Sequence, residues 1–116
     1  MQQLNSIHLR GITGHARTVK AGGTRMCQLT LATNCIYRRE SETVVETTWH
    51  NVNIYERAGM PDLDTIKKGT KLEITGRLRT NRYTAASGEQ CNTCEVIASN
   101  VTILPDEEPL LMEETA

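Results

Sequence analysis

The chain has 116 residues, a formal net charge of −1 and four aromatic residues, none of them phenylalanine. That length suits one domain with an ordinary core. No run approaches the roughly 20 apolar residues of a membrane span, and the N-terminus lacks the apolar segment of a signal peptide, so a cytoplasmic protein without membrane contact is expected.

Along the chain the dominant period is two, the signature of strands. Leu4 to Ile12 alternates loosely and is interrupted at Gly11 and Gly14, as in a long strand with a bulge. Ala21-Gly22-Gly23 predicts a turn. From Met26 to Thr33, Cys27, Leu29 and Leu31 share one face, with Gln28 and Thr30 on the other. Residues 38–43 read as a charged loop tip. In a third strand, Val44 to Glu56, His50, Val52 and Ile54 form the apolar-leaning face, and Trp49, Asn51, Asn53 and Tyr55 line its opposite. A helix is expected from Pro61 to Lys68, with proline in its first turn, Asp62 and Asp64 at its positive end and Gly69 behind it. A fourth strand, Lys71 to Arg79, turns Leu72, Ile74 and Leu78 inward and Arg77 and Arg79 outward. After a polar tip at 81–90, a fifth strand from Cys91 to Leu104 returns through Val96, Val101 and Ile103.

Five strands with one short helix between the third and fourth predict an all-β, five-stranded OB-fold Greek-key barrel over residues 1–104, a fold whose open face commonly binds oligonucleotides. An SH3-like barrel is the competitor, but it predicts no helix there. The average charge hides an asymmetry. Residues 1–104 hold all 13 Lys and Arg against nine of the 14 acids, a net +4, while 105–116 hold five acids and no base. A short acidic, disordered tail is expected at 105–116.

Tyr37, Trp49, Tyr55 and Tyr83 all sit among polar or basic neighbours, whereas the inward-facing pattern is Leu, Ile and Val. Rings spared from the core and held on a cationic surface are platforms for unpaired bases, which predicts a binder of single-stranded nucleic acid. Arg38, Arg39, Arg77, Arg79 and Arg82 lie around them as candidates for phosphate neutralisation. There is no Gly-rich phosphate loop before a helix, no nucleophile-and-base pair and no paired carboxylates in a pocket, so neither an enzyme nor a cofactor is expected. Cys91 and Cys94 form a C-x-x-C, but residues three apart on a strand point to opposite faces, and Cys27 and Cys35 lack knuckle spacing. The four thiols are expected free, with no metal.

Leu31-Ala32-Thr33-Asn34, Thr48-Trp49-His50-Asn51-Val52 and Gly76-Arg77-Leu78-Arg79-Thr80, with Gly11 and Gly14 in the opening strand, make residues 4–104 similar to the bacterial single-stranded DNA-binding protein family. The resemblance places Trp49, Tyr55, Tyr37 and Tyr83 on the family's base-stacking positions, with tyrosine at two positions where the family carries tryptophan. It implies sequence-independent, non-enzymatic binding of single-stranded DNA in replication, recombination and repair. It also implies a homotetramer with His50 at a subunit interface, and recruitment of replication or repair proteins through the acidic tail. Three departures stand out: the short tail lacks a terminal Pro-Phe, Glu73 replaces an aromatic interface residue, and Ala16-Arg17-Thr18 replaces Asp-Pro-Glu. They suggest an accessory copy carried on a mobile element. The alternatives are a dimer like primosomal replication protein N and a protein-interaction adaptor that has lost DNA binding.

Overall fold

A computed structural model of the chain describes residues 1–106 and the backbone of 112–113. Strands β1 (Ile7–Ala21), β2 (Thr24–Arg39), β3 (Glu42–Tyr55), β4 (Lys71–Thr84) and β5 (Gln90–Ile103) pair in the order β1-β4-β5-β3-β2, and pairing of β1 with β2 closes the barrel. All these ladders are antiparallel except β3 with β5. A two-residue strand, β6 (Met112–Glu113), lies parallel to Cys35 and Ile36 on the edge of β2. The rest of the expected acidic tail, beyond Asp106, lies outside the described residues.

The core is aliphatic. Cys27, Leu29, Leu31, Val52, Ile54, Leu72, Ile74, Val96, Ala98 and Val101 form one buried cluster, and none of the four rings belongs to it. Burial pushes the Cys27 thiol up from its ordinary value, which keeps it protonated. β1 makes its expected bulge: Thr13 pairs with Leu31 and Ala16 with Leu29, so Gly14 and His15 together face Thr30, whose Oγ1 accepts from His15 N at 3.0 Å. A second bulge falls on β5, where Thr75 pairs with Asn100 and Gly76 with Ala98, leaving Ser99 unpaired.

Two expectations need correction. The helix over 61–68 is a single 3-10 turn, Leu63–Thr65, capped by the Asp62 carboxylate accepting from Asp64 N; Ile66 is already extended. Core packing decides this. Leu63 and Ile66 are both buried in the core, Leu63 from the turn itself and Ile66 from the extended backbone that ends it. Arg25 clasps this turn to the barrel, its guanidinium donating to Glu56 at the end of β3 and to Asp64. The second correction is Leu78. Its register partner Val96 is buried, yet Leu78 is 43% exposed. Pairing of β1 with β4 stops at Gly76, so beyond that point β4 and β5 leave the barrel as a two-stranded ribbon with no interior to fill. The N-terminal arm is pinned to this ribbon, Asn5 donating to Leu78 O at 2.8 Å and accepting from Leu78 N at 2.9 Å.

The two-residue turns of the two long hairpins differ. Gly22 and Gly23 take left-handed φ of 62° and 84° freely, but Glu40 (51°) and Ser41 (69°) adopt the same region with side chains. Left-handed backbone costs an L-residue about 1–2 kcal/mol. Replacing Glu40-Ser41 by Asn-Gly is therefore expected to stabilise the fold by about 1 kcal/mol or more, measured as an increase in free energy of urea unfolding at constant m-value.

On the outside of β1 and β4, Glu73 accepts from Arg10 Nη2 at 2.9 Å and bonds His8 Nε2 at 3.0 Å. The Arg10 hydrogen bond first and the His8 bond second hold its carboxyl below the usual carboxylate range. A lowered folded value means that the stabilisation is complete above the unfolded value, about 4.3, and is lost as pH falls through the folded one. Glu73→Gln should lower stability at neutral pH, with the two stability curves converging in acid. Urea midpoints measured from pH 7 down to 3 check this.

Candidate nucleic-acid interface

Alternation along strands that pair without slips fixes which side chains share a surface. β2 and β3 pair continuously from Met26 with Tyr55 to Arg39 with Glu42. Val52 and Ile54 point into the barrel, so Trp49, Asn51, Asn53 and Tyr55 point out, with Gln28, Thr30, Ala32 and Arg38 beside them on β2. β5 runs parallel next to β3, Asn51 paired with Glu95 and Asn53 with Ile97. β4 follows, bringing Arg77, Arg79, Asn81 and Tyr83 to the same face as Ile97, Glu95, Thr93 and Cys91. Trp49, Tyr55 and Tyr83 thus share one outer face across four strands with Arg38, Arg77 and Arg79.

The other candidates fall elsewhere. Tyr37 and Arg39 alternate to the opposite side of the β2–β3 ribbon, and Arg82 to the opposite side of the β4–β5 ribbon. His50 also turns away from the outer face. It is half-buried, its Nε2 bonded to Thr33 Oγ1 at 2.9 Å, and burial lowers its pKa.

Trp49 is 60% exposed and Tyr83 50%, whereas Tyr37 and Tyr55 are half-buried. The Trp49 ring lies over Gly14 and Thr30: a Cβ at residue 14 would come within 2.5 Å of its Cζ3 and 2.9 Å of Thr30 Oγ1. Glycine at the β1 bulge is what lets an exposed indole rest flat against the backbone. Among the described residues, Arg38, Arg39, Arg77 and Arg82 have no carboxylate partner. Arg79 differs, its Nη2 donating to Glu95 Oε2 at 2.9 Å. The hydrogen bond to the Glu95 carboxylate raises its pKa against the opposing effect of desolvation. Asn53 Nδ2 donates to the same Glu95 oxygen at 3.0 Å.

Beside this network lies an open cleft of about 510 Å³, lined by His15, Arg17, Gln28, Thr30, Asn51, Asn53 and Glu95 among others. Sequence reasoning had no route to Glu95. Its place beside Asn51 and Asn53 comes from a parallel pairing between strands far apart in the chain, which periodicity does not reveal. No helix of the described residues is long and apolar enough to cross a membrane, and no three of their His, Cys, Asp or Glu side chains stand together as a metal site.

A family model described as the single-strand binding protein family matches residues 4–104. The chain belongs to that family. Among curated single-strand binding relatives, the single-stranded DNA-binding protein of Xylella fastidiosa is 25% identical over 104 residues, covering 87% of this chain and 63% of that protein. The protein of the same name from Neisseria meningitidis is 25% identical, with 87% and 60% covered. This chain therefore spans about three fifths of the length of those bacterial proteins. The mitochondrial single-stranded DNA-binding protein 1-A of Xenopus laevis is 28% identical, with 90% and 80% covered. Among solved structures, an SSB complex with ssDNA from Plasmodium falciparum superposes with a TM-score of 0.79 at 24% identity, over 90% of this chain and 98% of that one. The single-strand binding fold is thus shared across the whole barrel.

Gly14→Ala tests the seat of the indole. The added methyl must push the Trp49 ring off the bulge, and the exposed ring is free to swing. The expected result is a shift of the Trp49 emission maximum, with unfolding free energy lowered by about 1 kcal/mol because the methyl also crowds Thr30 Oγ1, which accepts from His15 N across the bulge. A single tryptophan makes that spectrum unambiguous.

Proposed function

We propose that this chain binds single-stranded DNA stoichiometrically and with little regard to sequence. The observation that carries the reading is Trp49, exposed on a polar face it shares with Tyr55, Tyr83, Arg38 and Arg77, in a member of the single-strand binding family. Bases stack on the three rings of the outer face, and Tyr37 adds a fourth on the strand's path around the β2–β3 ribbon. Arg38, Arg39, Arg77 and Arg82 neutralise phosphates. Arg79, matched by Glu95, contributes less free charge. Tyrosine presents a smaller face than tryptophan, so binding per domain is weaker than in a tryptophan-rich relative.

In this reading the working form is a homotetramer with His50 at a subunit contact. Linked sites on several barrels then wrap one strand and raise affinity through effective concentration. The protein protects exposed strands during replication, recombination and repair in the cytoplasm, as an accessory copy from a mobile element, and the acidic tail beyond residue 104 is a candidate docking segment for replication or repair proteins. Family membership and the charge split between residues 1–104 and the tail support these points.

The test is a fluorescence titration with oligo-dT at several salt concentrations. Trp49 emission should quench on binding. Trp49→Ala, followed by anisotropy of labelled DNA, should cost about 1–3 kcal/mol of affinity. Arg77→Ala should reduce the slope of log affinity against log salt by about 0.7. Absence of quenching at low salt sinks the proposal, and light scattering that finds a monomer or dimer removes the tetramer from it.

A further inference from the structure

Stacking surfaces are indifferent to base identity, but the cleft beside Asn51 and Asn53 on the outer face is lined by groups that are not. Glu95 receives Arg79 and Asn53 on one oxygen, Oε2. A carboxylate only accepts, so Asn53 must turn Nδ2 toward it and its own carbonyl oxygen away. Among the described residues neither Glu95 Oε1 nor Asn53 Oδ1 has a hydrogen-bond partner, and neither is sealed from solvent. Asn53 itself is only 7% exposed, so these acceptors are held in a fixed place. Across the same cleft, Gln28 uses Oε1 to accept from Arg17 Nε at 3.1 Å and Nη2 at 3.0 Å, which leaves its amide nitrogen as a donor.

At its Glu95 end the cleft is the wrong chemistry for a phosphate, which brings further acceptors to a carboxylate; the cation that lines it, Arg17, stands at the Gln28 end. The cleft suits a base edge that offers an amino donor next to ring acceptors. Among pyrimidines that describes cytosine, with its N4 amino group beside N3 and O2. Thymine would set its O4 against the Glu95 carboxylate. We propose that the Gln28–Asn53–Glu95 cleft reads one base of the bound strand and prefers an amino-bearing base over thymine. The inference rests on the single-strand binding reading above and adds a selective position to an otherwise tolerant path. Glu95 and Asn53 are specificity residues, and Arg79 positions Glu95 while cancelling its charge toward the strand.

The test compares oligo-dC with oligo-dT of equal length by Trp49 quenching at one salt concentration. The two pyrimidines offer similar stacking, so a difference reports the edge. Oligo-dC should bind more tightly by roughly tenfold, the scale of a good base-edge contact. Glu95→Gln keeps the shape but adds donors and removes the charge. It should bring the dC-to-dT ratio to one or below. A ligand-side control needs no variant: a pyrimidinone oligonucleotide lacking the 4-amino group should lose the advantage of oligo-dC on the wild-type protein. Equal affinity for the two homopolymers, or an advantage of oligo-dC that survives loss of the amino group, overturns the inference and leaves the binding reading intact. Failure of both homopolymers to quench at low salt overturns the binding reading and this one with it.

Discussion

In a closed barrel each strand residue has two directions to choose from, and the interior of a five-stranded barrel is too narrow for more than a few side chains per layer. Here that interior is filled by Leu, Ile, Val, Ala and Cys. Once Leu29, Leu31, Val52 and Ile54 take the inward positions on β2 and β3, alternation leaves Trp49, Asn51, Asn53 and Tyr55 no direction but outward. The display of rings is thus a by-product of the same packing that closes the fold. A single-residue slip would bury the amides and strand the aliphatics in water, so register is held by the whole hydrophobic set.

Beyond the barrel the constraint relaxes. β2 runs past its last pairing with β1, at Ala32, and β4 runs past its last pairing with β1, at Gly76. On the ribbons that follow, both faces are wet, and alternation sends candidate residues to both sides: Arg38 and Tyr83 with Trp49, Tyr37 and Arg82 away from it. A ligand that touches all of them has to wrap around the ribbon tips and cannot simply cross a flat sheet. The turn at Glu40-Ser41, held in left-handed backbone, is the tip of one such ribbon.

The strands, the Gly22-Gly23 hairpin and the ring-bearing face were legible in the sequence because each depends on a two-residue period or a local turn. The helix over 61–68 misled because its capping residues are real, Asp62 does cap, but the chain turns extended at Ile66, which buries that side chain in the core and ends the turn after Thr65. Leu78 misled because alternation reports a side, not whether that side is still covered. The Arg79–Glu95–Asn53 network was illegible for a different reason. It joins three strands through a parallel pairing, and nothing local to residue 95 marks a carboxylate as the partner of an arginine thought free for phosphate.

The clasp of Arg25 on Glu56 and Asp64 has a practical side. Its groups are all partly exposed, so mobile ions reach it, and each such surface pair is worth at most about 1 kcal/mol. Raising the ionic strength slackens the strap that holds the Leu63 turn against the core. Anything followed against salt therefore carries the loosening of this turn with it, and a melting curve at every salt concentration used shows how much.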